Sequence, residues 1–162
     1  MGRFVSRLLR PVVNLRRILD QPSIRDKPGF VCTYLRLKLK HFFLVHLFKR
    51  RISSERFLGF RAHFFDYSSF LLLFEEIFIH QPHYFQTDMQ RPFILDCGAN
   101  IGMATLYFKY LYPKARIIAF EPYQPTFALL ARNVRENGLE DVELVDKALA
   151  ASSGKLPFFA GG

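Results

Sequence analysis

Apolar and polar positions follow two alternating periods in the last part of the chain. Three apolar runs of strand length are separated by two stretches in which apolar residues recur at helical spacing. In chain order the predicted elements are strand 93–97, helix 101–112, strand 116–121, helix 125–136 and strand 142–147. This alternation predicts parallel strands joined by crossover helices, which is an α/β fold. The runs FILDC and RIIAF are apolar enough to predict burial on both faces of the sheet.

Turn-forming residues bound the two predicted helices. Pro113 ends the first helix, Pro125 stands where a first turn tolerates proline, and Asn137-Gly138 supply a left-handed C-terminal cap to the second. After the third strand, 152-SSGK-155 predicts a turn and LPFF a short apolar run.

The N-terminal region has a different pattern. Residues 3–20 and 30–50 carry apolar residues at helical spacing, and the polar segment 20-DQPSIRDKPG-29 separates them. Residues 57–65 alternate imperfectly and predict a strand, and 68-SSFLLLFEEIF-78 predicts a helix capped by serine. The predicted domains are a basic helical region, 1–56, and an α/β domain, 57–162.

Net charge separates the two ends of the chain. Lys and Arg outnumber Asp and Glu by 15 to 3 in residues 1–63, and number 8 against 11 in residues 64–162. Basic amphipathic helices either pack on a domain with a solvated basic face or lie on an anionic membrane surface. No nucleic-acid-binding motif accompanies the charge, so nucleic acid is not an expected partner. Basic residues within 30–48 exclude a membrane-spanning helix there.

Several other residues are weak candidates for chemistry. Only two cysteines occur, which favours a reducing cytoplasm, and Cys97 is expected to be a small buried filler. His80 and His83 lack further ligands at zinc-like spacing, so we expect no metal site and solvent-facing histidines. Adjacent Glu75 and Glu76 point to different helix faces and are expected to be surface or packing-edge charges. We expect an aromatic core formed by Phe57, Phe60, Phe64, Phe65, Phe70, Phe74 and Phe78.

A glycine-rich loop follows the first predicted strand of the α/β domain. In 93-FILDCGANIG-102, Asp96 ends the apolar run, and Gly98, Ala99, Asn100 and Gly102 lead into the helix. Gly98 lets the chain turn and approach a ligand, while Asn100 tolerates a left-handed conformation. Ligands of open α/β sheets gather at this carboxyl edge, where N–H groups at a helix start favour a polar or anionic group. We therefore predict a binding site at this loop.

The acid that ends the second strand indicates what the loop binds. Glu121, in 120-FEP-122, lies where a carboxylate accepts hydrogen bonds from ribose hydroxyls. The loop itself is D-x-G-x-N-x-G rather than G-x-G-x-x-G. A carboxylate such as Asp96 suits a cofactor with an ammonium group better than one presenting a pyrophosphate. S-adenosylmethionine is therefore favoured over NAD.

Over roughly residues 60–160 the chain resembles the FkbM-type S-adenosylmethionine-dependent methyltransferases. The stretches that carry the resemblance are 67-YSSFLLLFEEIF-78, 93-FILDCGANIG-102, 107-YFKYLYPKARIIAFEP-122 and 130-LARNVRENGLEDVELVDKALA-150. The resemblance implies a Rossmann-like class I methyltransferase fold. It implies that the loop from Asp96 to Gly102 holds the methionine part of the cofactor and Glu121 its ribose. It places the adenine edge around Lys147 and Ala148.

The resemblance also implies a reaction and a missing part. Such enzymes transfer a methyl group to a hydroxyl of a sugar or natural-product-like acceptor, and no residue here is assignable as the base. The family pattern has further strands that complete the sheet and shape the acceptor pocket, and the sequence contains only the first three. We therefore expect a front portion of the fold that binds the cofactor weakly and shows no robust turnover alone. The alternatives are a non-catalytic remnant that binds cofactor, partner or membrane, and an NAD-binding oxidoreductase fragment.

Overall fold

A computed structural model of the chain describes residues 2–152 and residue 154. The chain divides into two compact units, Met1–Gln86 and Thr87–Gly162. The predicted division between residues 56 and 57 rests on sequence pattern and not on compactness, and it stays a prediction. Two residues of the predicted SSGK turn, Ser153 and Lys155, lie outside the described residues, as does the LPFF run.

The second unit contains a three-stranded parallel sheet with two crossover helices. Its elements are β3 (Phe93–Cys97), α4 (Met103–Leu111), β4 (Arg116–Phe120), α5 (Gln124–Glu136) and β5 (Val142–Val145). The strand order is β3-β4-β5, and both pairings are parallel. The predicted Rossmann-like α/β arrangement of three parallel strands is confirmed, with boundaries shifted by at most two residues.

Both crossover helices of this unit cover the same face of the sheet. Thr105 of α4 bonds Asp96 of β3, and Leu130 of α5 packs with Ala119 of β4. Two successive right-handed crossovers in one direction along a sheet place both helices on one side. The opposite face therefore stays open, and the prediction that FILDC is buried on both faces is wrong. Phe93 and Leu95 are more than half exposed, and Cys97 is exposed as well.

The first unit combines helices with a short hairpin. Its elements are α1 (Gly2–Asp20), α2 (Lys27–His41), β1 (Ser54–Phe57), β2 (Phe60–His63) and α3 (Tyr67–Phe74). The two later helices continue as π-helical stretches, Phe42–Leu47 and Glu75–His80. The single strand predicted at 57–65 is instead an antiparallel pair. Leu58 and Gly59 both have positive φ, which suits a tight two-residue turn.

The aromatic core of the first unit is largely as predicted. Phe57 lies at its centre, with ring centroids 5.3–5.5 Å from those of Phe70, Phe74 and Phe78. Edge-to-face contacts of this kind stabilise a core beyond simple area burial. Phe65 is the exception, because it follows the end of β2 and is 63% exposed. Its predicted place in the core is wrong.

Two buried carboxylates tie the N-terminal helices to this unit. Glu75 contacts Arg10 Nε at 2.8 Å and Lys38 Nζ at 3.2 Å, and it accepts a hydrogen bond from the Tyr34 hydroxyl. Glu55 likewise pairs with Arg36 and Lys40 of α2. Burial opposes ionisation of Glu55, but its hydrogen bonds with those two cations outweigh burial and lower its pKa.

Two predictions about α3 and the π-helical stretch that follows it are wrong. The helix is capped by Asp66, whose Oδ1 accepts a hydrogen bond from Ser69 N, rather than by a serine. Glu75 is buried rather than a surface charge, while Glu76 is exposed as expected. His80 is half-buried, with Nε2 3.1 Å from Asn14 Oδ1, whereas His83 is exposed.

Within residues 2–152, none of the helices combines the length and apolar character that crossing a bilayer requires.

Candidate functional site

The predicted loop and both predicted acids come together at one edge of the sheet. Cys97 pairs with Phe120 at the ends of β3 and β4, so the two strands finish level with each other. The loop continues from β3, and Glu121 directly follows β4. Asp96 and Glu121 are 8% and 7% exposed. This is the carboxyl edge at which open α/β sheets bind ligands.

The loop is held against β4 by its backbone. Gly98 N and Ala99 N both donate to Phe120 O, at 2.9 and 2.8 Å. Gly98 has φ of +97°, and a Cβ built on it would meet nothing within 4 Å. Asn100 has φ of +51°, which confirms the left-handed conformation expected of it. The space beside Gly98 is therefore open, and its lack of a side chain is required by the backbone conformation.

Glu121 bridges the two loops that follow β3 and β4. Its Oε2 accepts a hydrogen bond from Asn100 N at 2.9 Å, and its Oε1 accepts one from Tyr123 N at 2.8 Å. Hydrogen bonds from backbone N–H groups to a carboxylate are among the stronger ones in proteins. Each carboxylate oxygen has two acceptor positions, so the side chain retains capacity for a ligand hydroxyl. Glu121 thus orders the site and is equipped to bind in it.

Asp96 is positioned by a residue that the sequence patterns did not reveal. The Thr105 hydroxyl, at the buried face of α4, donates to Asp96 Oδ2 at 2.7 Å. Thr105 is fully buried. A polar side chain on the apolar face of a predicted helix was the available signal. Such a residue needs a buried partner, and Asp96, near the end of β3, supplies it.

Asn133 supports the loop from the second crossover helix and was also missed. It is fully buried on α5, and its Nδ2 donates to Ile101 O at 2.7 Å. Close packing makes this contact available, because a Cβ on Gly102 would lie only 2.7 Å from Leu130 Cδ1. Gly102 also has φ of +88°. The absence of a side chain at Gly102 therefore lets Leu130 of α5 approach the start of α4 closely.

Replacing Asn133 by alanine is expected to destabilise the second unit by about 1–3 kcal/mol, because Ile101 O would remain buried without its donor. The measurement is urea unfolding followed by circular dichroism. Asn137→Ala serves as a control, because its amide bonds the Asn133 carbonyl from a partly buried position near the helix end. Equal stability of Asn133→Ala and the parent chain would show that water replaces the amide.

The residues predicted at the adenine edge lie beyond the sheet. Lys147 and Ala148 follow the end of β5 and are exposed. Neighbouring Asp146 lies 3.4 Å from the Gln124 amide at the start of α5. Their role stays a prediction. Cys97 is exposed, so its predicted burial is wrong.

In the described part of the chain, no group of three or more His, Cys, Asp or Glu side chains is arranged to hold a metal ion.

Sequence comparisons relate part of the chain to named proteins. The chain is 40% identical over 86 residues to the methyltransferase sdnD of Sordaria araneosa, covering 52% of this chain and 33% of that protein. It is 41% identical over 69 residues to Methyltransferase 1 of Beauveria bassiana, covering 43% and 28% respectively. Both relatives are methyltransferases by name. The chain spans about a third or less of their length, and no family model matches it.

Structure comparisons give more distant similarity. TYW2 of P. horikoshii in complex with MeSAdo is 28% identical, with a TM-score of 0.35, covering 39% of this chain and 24% of that one. Coclaurine N-methyltransferase bound to N-methylheliamine and SAH is 14% identical, with a TM-score of 0.37, covering 96% and 46%. The resemblance to the FkbM type stays a prediction.

Proposed function

We propose that the chain carries the cofactor-binding part of an S-adenosylmethionine-dependent methyltransferase. The observation that carries the proposal is Glu121, a buried carboxylate that bonds Asn100 N at 2.9 Å beside a loop begun by Asp96. The methyltransferases at 40% and 41% identity support it. The acceptor is proposed to be a hydroxyl of a sugar or natural-product-like small molecule.

The residues at this edge fit the proposed cofactor chemically. Asp96 offers a negative charge suited to an ammonium group, and Glu121 offers acceptors suited to ribose hydroxyls. Gly98 leaves open space beside the loop, since a Cβ there would contact nothing within 4 Å. In this proposal Asp96, Gly98, Ala99, Asn100 and Gly102 hold the amino-acid end. Lys147 and Ala148 lie near the adenine ring of the cofactor.

The chain's own residues bind and orient the cofactor. When bound, S-adenosylmethionine would supply an electrophilic methyl group, whose bond to the sulfonium sulfur would break as an acceptor oxygen bonds the carbon, with S-adenosylhomocysteine as the leaving group and the hydroxyl proton released to solvent. Glu121 fixes the loop that carries Asn100, and Thr105 fixes the Asp96 carboxylate. Positioning of this kind lowers the barrier to displacement by aligning the reacting atoms. The proposed place of action is the cytoplasm or the edge of a membrane.

A binding competition tests the proposal directly. The 162-residue chain is expected to bind S-adenosylhomocysteine saturably, with a weak dissociation constant, and NADH is not expected to compete. The measurement is isothermal titration calorimetry with each ligand, then with both. Saturable NADH binding that S-adenosylhomocysteine does not displace would favour an oxidoreductase instead. An absence of binding by either ligand up to millimolar concentration would contradict a cofactor site in this chain.

A further inference from the structure

The end of α2 exposes a continuous set of large apolar side chains. Six residues in and after its last turns are between 43% and 61% exposed: Leu35, Leu39, Phe42, Phe43, Leu47 and Phe48. Single exposed apolar residues are ordinary on protein surfaces, but contiguous patches mark interaction sites. We call these six residues the α2 patch.

Helical spacing places these residues together. Leu35, Leu39 and Phe43 recur every four residues. They line one open groove together with Cys32, Arg36, Lys40 and Leu44. The rings of Phe42 and Phe43 meet edge to face, 5.4 Å apart. The sequence allowed α2 either to expose a solvated basic face or to lie on a membrane. In the structure the basic residues Arg36 and Lys40, whose side chains are 41% and 43% exposed, pair with buried Glu55, and large apolar side chains are exposed between and beyond them.

Three cations follow the α2 patch without interruption. The π-helical stretch ends at Leu47, after which Phe48 N donates to Phe43 O, Lys49 adopts φ of +49°, and Arg50 N donates to Leu44 O. Lys49, Arg50 and Arg51 are exposed. Among the described residues, no carboxylate forms an ion pair with any of the three, in contrast to Arg36 and Lys40. Their charge is therefore available to an external anion.

A second apolar element adjoins these cations. Phe65 is 63% exposed and lines a groove with Lys49, Arg50 and Arg51. Asp66 lines the same groove, but its carboxylate already accepts a hydrogen bond from Ser69 N at the start of α3. An exposed aromatic side chain thus lies beside the three cations.

We propose that the α2 patch and the Lys49–Arg51 triplet dock on an anionic lipid surface. An apolar helix face flanked by unpaired Lys and Arg matches a bilayer interface, where side chains enter the acyl boundary and cations meet phosphates. The occupant is a membrane rather than an acidic protein groove because the apolar residues extend along three helical turns without an interspersed free cation. The proposal does not depend on the cofactor site.

Vesicle flotation tests the apolar contribution. The 162-residue chain is expected to float with vesicles containing 30% phosphatidylserine, and Phe42→Ser/Phe48→Ser to lower its partition coefficient roughly a hundredfold. Leu19→Ser is the matched control, since Leu19 is 55% exposed on α1, outside the α2 patch. Circular dichroism checks that each variant is folded. Unchanged flotation of the folded double variant would overturn the proposal.

Charge reversal tests the electrostatic contribution. Arg50→Glu is expected to weaken binding about tenfold or more and to make its loss with salt shallower, because fewer cations remain for salt to screen. Lys114→Glu changes net charge equally at an exposed position of the other unit and is expected to have little effect. Equal binding to neutral phosphatidylcholine vesicles would refute the anionic preference.

A fluorescent reporter separates membrane insertion from other uses of the patch. The chain has no tryptophan, so Phe48→Trp provides a single probe. Its emission is expected to shift to the blue on vesicle addition, whereas that of Phe93→Trp is not. A blue shift that depends on protein concentration alone, without vesicles, would assign the patch to contact between copies of the chain and reject the membrane proposal.

Discussion

Replacing Glu121 by alanine is expected to weaken S-adenosylhomocysteine binding about a hundredfold. A hydrogen bond to a charged group contributes about 1.5–3 kcal/mol, so losing one to a ribose hydroxyl accounts for roughly ten- to hundredfold. The substitution also removes the acceptor for Asn100 N and Tyr123 N, so both loops lose their bridge. Calorimetric titration of the variant measures the change.

Two further variants make this result interpretable. Glu143→Ala removes an exposed carboxylate from β5 in the same sheet and is expected to leave affinity unchanged. Glu121→Gln keeps one acceptor oxygen without the charge, so its affinity should fall between those of alanine and glutamate. If a folded Glu121→Ala variant binds the ligand as tightly as the parent, Glu121 does not contact the ribose.

Replacing Phe57 by alanine is expected to destabilise the first unit by about 3–5 kcal/mol, the range for truncating a buried phenylalanine. Phe57 is 2% exposed and contacts three other buried rings, so its loss leaves a cavity that those rings do not readily fill. Urea unfolding followed by circular dichroism measures the loss.

Phe65 supplies a matched control within the same segment. Phe65→Ala makes the same chemical change at a 63% exposed position, so its effect should stay within about 0.5 kcal/mol. A similar cost at both positions would mean that Phe65 is covered in solution. Only a large difference between the two agrees with the core described here.

Local patterns predicted the second unit well because its determinants are local. β3 has the predicted bounds, Pro125 stands in the first turn of α5, and Gly138 has the left-handed φ of +59° expected of a cap. Each of these depends on residues within one or two turns. The placement of Asp96 and Glu121 at one edge then follows from parallel pairing alone.

Predictions failed where the outcome depends on distant residues. Glu75 is buried because Arg10 and Lys38 reach it from two other helices, and neither partner is evident from the motif EEIF. FILDC is apolar on both faces, yet the handedness of two crossovers leaves Phe93 and Leu95 exposed. Thr105 and Asn133 were not predicted as residues that support the site, because their hydrogen-bond partners lie on other elements.

The attachment of α1 has a consequence for synthesis of the protein. Asn14 meets His80 across 66 residues of sequence, and Arg10 meets Glu75, so these two contacts form only after that distant segment has left the ribosome, later than the hydrogen bond that Asn14 donates to Tyr34. At about 5–20 residues per second, the delay is several seconds. During this delay the arginine-rich first helix lacks these two contacts. Any other surface that binds the helix in that interval does so before the first unit has finished folding.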